Sequence, residues 1–225
     1  MMLVSKPHLM VIDPARRNPE LDSFNHISLW SPIHATYHLP AMFGMASVRA
    51  ATELVEGIII LGSGSSVHDR EPWQIELESW LMPLLERGIP TLGICYGHQM
   101  LATMFGGRVG FVRKDQEKLK GFCTVDFSSS RLWTAGARTL LRSHREMVTE
   151  APAAMQVFAR SASAPSTDQV PVDALEHRRL PIWSVQTHPE ASPVLLNNLE
   201  IPQPDDRTAF ADGNQLVRRF LAQLA

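Results

Sequence analysis

At 225 residues, 44% of them apolar, the chain is long enough to bury a large single core, and nothing in its length forces a second domain. A formal net charge of −2 and the lack of any long basic block leave no footprint for nucleic acid or an anionic membrane surface. Two cysteines make no disulfide framework. With no signal-like N-terminus and no apolar run near the roughly twenty residues of a membrane span, the expectation is one soluble, cytoplasmic domain over residues 1–225.

In chain order, Leu9-Met10-Val11-Ile12 reads as a first strand, ended by Asp13-Pro14. Residues 15–41 carry scattered prolines, histidines and aromatics with no periodicity that assigns them, apart from a candidate strand over 35–39. Residues 45–54 are helix-like and lead into an apolar strand, Ile58-Ile59-Ile60-Leu61. A helix is expected over 69–87, with Ile75, Leu77, Trp80, Leu81, Leu84 and Leu85 as its apolar side and Gly88 as its stop. A buried strand over 89–94 and a helix over 97–105 follow. Past Gly107 the pattern changes to short strand-like runs at 109–112, 121–127 and 155–159, read as antiparallel strands beside the main sheet. Residues 161–173, rich in Ser, Ala and Pro, read as a loop. A strand over 180–185 and a helix over 213–224, with Leu216, Val217, Phe220, Leu221 and Leu224 facing the core, complete the chain. Strands alternating with helices predict an α/β fold, a mostly parallel sheet covered on both faces, whose ligands sit beyond the strands' C-terminal ends. Cys95, Ser63 and His188 all fall there.

Between the 89–94 strand and the next helix stands Gly93-Ile94-Cys95-Tyr96-Gly97-His98-Gln99. A residue at such a tight turn is raised at a helix N-terminus, where the dipole and free N–H groups favour a thiolate, and the flanking glycines remove Cβ obstacles. Ninety-three residues later come His188-Pro189-Glu190 (188 − 95 = 93), following the 180–185 strand. In an extended segment residues i and i+2 point the same way, so the Glu190 carboxylate can hold the His188 ring in one orientation. Two motifs so far apart meet only through the fold, as is usual for cysteine and histidine catalytic pairs.

Other chemistry-bearing residues read as structural. His34 and His38 lie four apart, but Pro32 and Pro40 flank them and no third ligand is placed, so no metal is expected. His98 and Cys123 read as packing residues. Ser63 and Ser65 lack the Gly-x-Ser-x-Gly spacing of a serine nucleophile, and no Gly-Lys-Ser/Thr follows to make a phosphate loop.

The motifs resemble those of the class I glutamine amidotransferases, a family with a Cys-His-Glu triad on a flavodoxin-like sheet, and within it the amidotransferase domain of GMP synthetase and its stand-alone relatives. Gly93, Cys95, Gly97 and Gln99 match the family's Gly-x-Cys-x-Gly-x-Gln elbow, and His188-Pro189-Glu190 its second element. The counterpart of its Gly-Gly-Pro-like turn is Gly62-Ser63-Gly64, with Ser63 for the second glycine and Gly64 for the proline. Ser143-His144-Arg145-Glu146-Met147-Val148 is similar to a Ser-His-Gly-Asp-x-Val stretch, with Arg145 where glycine is usual. The similarity spans about residues 55–195.

What the resemblance implies is a cysteine-nucleophile amide hydrolase without a cofactor. Cys95, His188 and Glu190 would be catalytic; the backbone N–H groups of Ser63 and Tyr96 would receive the oxyanion; Gly62 and Gln99 would contact L-glutamine. Ammonia would pass to a separate ATP-dependent synthetase, since no such domain is encoded in these residues. The same triad also fits a γ-glutamyl peptide or amide hydrolase, and the same fold a catalytically silent binding module.

Overall fold

A computed structural model describes residues 6–161, 171–204 and 210–225. In chain order the elements are β1 (His8–Ile12), α1 (Leu21–Trp30), β2 (His34–His38), α2 (Pro40–Phe43), α3 (Ala46–Ala50), β3 (Val55–Ile60), α4 (Pro72–Glu86), β4 (Thr91–Ile94) and α5 (Tyr96–Met104). Then come β5 (Arg108–Phe111), β6 (Leu119–Phe127), β7 (Gly136–His144), β8 (Glu146–Glu150), β9 (Met155–Ser161), β10 (Ala174–His177), β11 (Ile182–Val185), α6 (Pro193–Asn198) and α7 (Ala211–Leu221).

One nine-stranded sheet has the order β2-β1-β3-β4-β11-β10-β9-β6-β7, and β5 pairs β8 separately. From β2 to β11 neighbouring strands run parallel; from β11 onward they run antiparallel. The parallel half has the predicted strands with helices on both faces, and α1 lies in the stretch that the sequence leaves unassigned. The antiparallel half is longer than expected, because β7 and β10 carry no strand signal of their own.

The strands' period of two builds both layers of the core. Met10, Ile12, Ile58 and Ile60 point to the face covered by α4 and α5. Leu9, Val11, Ile59, Leu92 and Ile94 point to the opposite face, where α7 lays down Leu216, Val217, Phe220 and Leu221. Both faces of the central strands are dry, which is why these runs are continuously apolar.

Helix α4 starts at Pro72, later than the predicted Asp69, because Glu71 and Gln74 form a reciprocal capping box and proline's fixed φ suits the first turn. Gly88, at φ +80°, ends it. Leu77, Leu81, Leu84 and Leu85 are buried as expected, each contributing about 1.5–3 kcal/mol by burial. Ile75 is a correction: it faces solvent, and Trp73 takes a buried place that the apolar periodicity did not assign to it. The helix expected over 45–54 is shorter, α3 followed by a 3-10 turn over Thr52–Leu54. The expected loop over 161–173 falls largely outside the described residues; at its ends Ser161 N–H donates to Asp173 Oδ2 at 2.5 Å. Among the described residues no helix is long and apolar enough to cross a membrane.

Candidate active site

Three adjacent parallel strands, β3, β4 and β11, end side by side and deliver Gly62, Cys95 and His188 to one place. Cys95 N–H donates to Val185 O at 2.8 Å, which ties the first residue beyond β4 to the end of β11. Its backbone sits at φ +51°, ψ −98°, a conformation that costs a non-glycine residue roughly 1–3 kcal/mol. The elbow is therefore strained, and close packing sustains it. An ideal Cβ at Gly93 would lie 2.6 Å from Gly97 O, and one at Gly97 would lie 2.5 Å from Ile60 O. The glycines on either side of Cys95 thus let α5 press onto β3 and β4, a packing requirement added to the turn's own.

His188 and Glu190 follow β11 in a turn rather than in extended chain: Ala191 N–H donates back to His188 O at 3.2 Å. The contact expected from extended geometry is made all the same, His188 Nδ1 lying 2.8 Å from Glu190 Oε1 with both side chains buried. His188 N–H donates to Leu141 O at 2.8 Å, so β7 fixes the backbone beneath the ring. Burial by itself pushes the imidazole down, but the Glu190 carboxylate and the neighbouring Cys95 sulfur together outweigh it and hold His188 well above its ordinary value. A protonated imidazole beside a cysteine sulfur is the setting that favours an anionic sulfur.

Gly62 completes the junction: a Cβ there would lie 2.8 Å from His188 Cε1 and 3.5 Å from Cys95 Cβ. Ser63, in place of the family's second glycine, donates from Oγ to Pro14 O at 2.7 Å and accepts from Ser65 N–H at 3.0 Å. These side-chain bonds tie the turn to Pro14 and close it locally on Ser65. Tyr96 turns its ring inward, where its hydroxyl accepts from Gln74 Nε2 at 2.9 Å. Its N–H belongs to the first turn of α5 and has no intrahelical acceptor.

Gln99 lines a small pocket beside the cysteine together with Ser63, Gly64 and Cys95. Its amide NH2 donates to Glu146 O at 2.7 Å and to Gln186 Oε1 at 3.2 Å, so its donors tie α5 to β8 and to the chain after β11. Gln186, which no sequence motif singles out, donates in turn to Cys95 Sγ at 3.7 Å. A lone glutamine two residues before a histidine gives no signal of such a role. Ser143 borders the site with a buried Oγ that has no hydrogen-bond partner among the described residues, and Arg145 is exposed and needs no left-handed backbone. His98 is buried between Ser184 Oγ (2.8 Å) and Val172 O (2.9 Å), and burial pushes it down to about 4. Half-buried Cys123 lies 3.6 Å from Leu140 O, its thiol pushed up to about 11 by burial, so both residues serve packing.

Cys95, His188, Glu190, Gly62 and Ser63 open onto one cavity of about 610 Å³. Part of its wall is the loop after β1, including Arg16, Arg17 and Glu20, a segment without periodicity in the sequence. Asp13 anchors that loop by accepting from Ala15 N–H (2.9 Å), Glu20 N–H (2.7 Å) and the Tyr37 hydroxyl.

The family model for class-I glutamine amidotransferases matches residues 37–198, which carry the elbow, the Gly62 turn and the His188 turn together. The chain belongs to this family. This amidotransferase chain is 34% identical over 146 residues to the glutamine-hydrolysing GMP synthase of Streptococcus mutans, covering 64% of the chain and 26% of that relative. It is 36% identical over 107 residues to a glutamine-hydrolysing GMP synthase subunit from Pyrococcus furiosus, covering 48% of the chain and 54% of the relative. It thus spans about a quarter to a half of the curated relatives it matches. A crystal structure of a GMP synthase subunit-like protein from Thermoplasma acidophilum superposes with a TM-score of 0.72 over 97% of this chain and 94% of that one, at 17% identity, and shows the shared fold. The family match starts at residue 37, earlier than the start near 55 that the motifs suggest, and leaves the cavity-lining loop after β1 outside it.

Proposed function

We propose that this amidotransferase hydrolyses the side-chain amide of L-glutamine through a γ-glutamyl thioester on Cys95, releasing glutamate and ammonia, and that the ammonia goes to a separate ATP-dependent synthetase. The observation that carries this reading is the strained Cys95 elbow set against the buried His188–Glu190 pair. The Cys95 thiolate attacks the amide carbon, and the N–H groups of Ser63 and Tyr96 receive the oxyanion. Imidazolium His188 gives its proton to the departing nitrogen, so ammonia leaves and the ring becomes neutral. The neutral ring then takes a proton from water as the water oxygen attacks the thioester carbon. Collapse expels the thiolate, restores the ion pair and yields glutamate, while Glu190 holds the ring throughout. The Pyrococcus relative, named as one subunit of its synthase, supports delivery to a partner chain.

The test is ammonia release from L-glutamine by the purified chain, with mass analysis of enzyme quenched during turnover. A γ-glutamyl adduct on the peptide bearing Cys95 is expected; release without an adduct there sinks the assignment. The cavity, about 610 Å³, supports a second reading, because free glutamine needs far less than such a ligand-sized space. In that reading a γ-glutamyl peptide or amide is the better substrate, and a higher kcat/KM for a γ-glutamyl dipeptide than for glutamine would establish it.

The same mechanism makes Gly213 consequential. A Cβ there would lie 2.6 Å from Pro189 O and 2.9 Å from Pro189 Cα, so α7 packs directly on the His188-Pro189-Glu190 turn. Gly213→Ala is expected to displace that turn, lowering kcat about tenfold or more and stability by about 1–3 kcal/mol, read by ammonia release and by denaturant unfolding.

A further inference from the structure

Cys95 stands between two openings of unequal size. The cavity of about 610 Å³ is bordered by Cys95, His188 and Glu190, whereas the small pocket beside it is bordered by Cys95 and Gln99 but by neither His188 nor Glu190. The leaving nitrogen of an amide cleaved at Cys95 takes its proton from His188, so it lies on the cavity side. With glutamine that side receives only ammonia, a molecule no larger than water. The remaining space suits a group attached to the leaving nitrogen.

The wall of that space is cationic. Arg16 and Arg17 come from the loop after β1, outside the family match, and Lys118 directly precedes β6. Arg16 is already paired, 3.0 Å from Glu71. Arg17 and Lys118 are exposed and make no ion pair or side-chain hydrogen bond among the described residues. The two acids on the wall do not cancel them: Glu190 is matched by His188 at 2.8 Å, and burial, then the charge of Glu190, push Glu20 up to about 7. Ser143, whose buried Oγ has no partner among the described residues, borders both openings and offers a ligand one more donor. We propose that the cavity takes γ-glutamyl amides whose leaving amine carries a carboxylate, as an amino acid or short peptide does, and that Arg17 and Lys118 receive this carboxylate. Cleavage runs as for glutamine: Cys95 sulfur bonds to the γ-carbonyl carbon, the C–N bond breaks, and His188 gives its proton to the nitrogen, releasing the amino acid in place of ammonia. Water then attacks the thioester carbon, returns a proton to His188 and frees glutamate. A guanidinium meets a carboxylate with parallel N–H donors and an ammonium meets it as a point charge; both are water-exposed here, so each adds a modest preference.

The inference rests on the γ-glutamyl reading of the Cys95 site for its kinetic test, and a binding test works without turnover. The kinetic test compares kcat/KM for γ-glutamylglycine and γ-glutamylglycinamide, which differ in one carboxylate. Wild type is expected to prefer the carboxylate about tenfold at low ionic strength, and the preference should shrink at about 1 M salt, where the screening length is roughly 3 Å. Arg17→Gln and Lys118→Gln should each lower the preference about threefold, the double variant should abolish it, and Arg17→Lys should keep most of it. Both substrates meet the same enzyme, so lost folded protein or a displaced triad cancels in the ratio. A wild-type ratio near one overturns the proposal, and so does a double variant with the wild-type ratio. If neither amide is cleaved, binding decides: calorimetric titration of the two compounds into Cys95→Ala, with and without the double substitution, should show the same preference in Kd, and equal Kd values or binding of neither overturns it. Cleavage of both amides without a carboxylate preference sinks this inference alone; a carboxylate-dependent Kd, lost in the double variant, in a protein that cleaves neither amide sinks the γ-glutamyl hydrolase reading alone.

Discussion

Cys95→Ala is expected to lower ammonia release from glutamine by about 10⁴-fold or more, because the proposed thioester needs sulfur and no neighbouring side chain can replace it. The fold should persist, since the side chain contributes one buried sulfur to a core that spans both faces of the sheet. Steady-state ammonia assays measure the first claim, and guanidinium unfolding the second. A further substitution separates strain from chemistry. At φ +51° alanine keeps the left-handed penalty of the elbow, whereas glycine does not, so Cys95→Gly should be more stable than Cys95→Ala by about 1 kcal/mol while equally inactive. Equal stability of the two variants would show that the elbow stores no strain.

Gly97→Ala has the largest expected effect on stability. Its Cβ would meet Ile60 O at 2.5 Å and Ile60 Cβ at 3.0 Å, and Ile60 lies on β3, a strand paired on both sides and fully buried there. That backbone cannot give way, so α5 must, taking Cys95 with it. A loss of about 3 kcal/mol is expected, with turnover falling as the nucleophile leaves its position. Gly64→Ala is the control: nothing lies within 4 Å of its Cβ and its φ is not left-handed, so stability should change by less than about 0.5 kcal/mol. Calorimetry on the two variants decides between packing at the elbow and a general intolerance of these glycines.

The parts of the molecule that were legible in the sequence share a physical basis. A buried parallel strand must be continuously apolar, and Ile58–Leu61 and Leu92–Ile94 are; an elbow packed on two strands must be flanked by glycine, and Cys95 is. Helix α7 was legible because Leu216, Val217, Phe220 and Leu221 all reach one face of the sheet. Helix α1 was not, since Leu21 and Leu29 face solvent and only Ile27 and Ser23 are fully buried, so its apolar residues mark no face. Strands β7 and β10 escaped for a related reason: Arg138, Ser143, His144 and Glu176 are buried polar residues, held by hydrogen bonds or bordering the site, and they break the apolar alternation.

The same division holds at the site. Cys95, His188 and Glu190 were nameable from local pattern, because a tight strand-to-helix turn and a His-x-Glu spacing are properties of neighbouring residues. The role of Gln99 as a brace, the contact of Gln186 with Cys95 Sγ, the hydrogen bonds that shape Ser63, and the approach of Glu20 to the cavity are not. Each depends on where β8, β11 and the loop after β1 come together, and hydrogen bonds between residues separated by tens of positions leave no periodicity in a single chain. Local geometry is written into the order of the residues; the company each side chain keeps is decided only when the sheet closes.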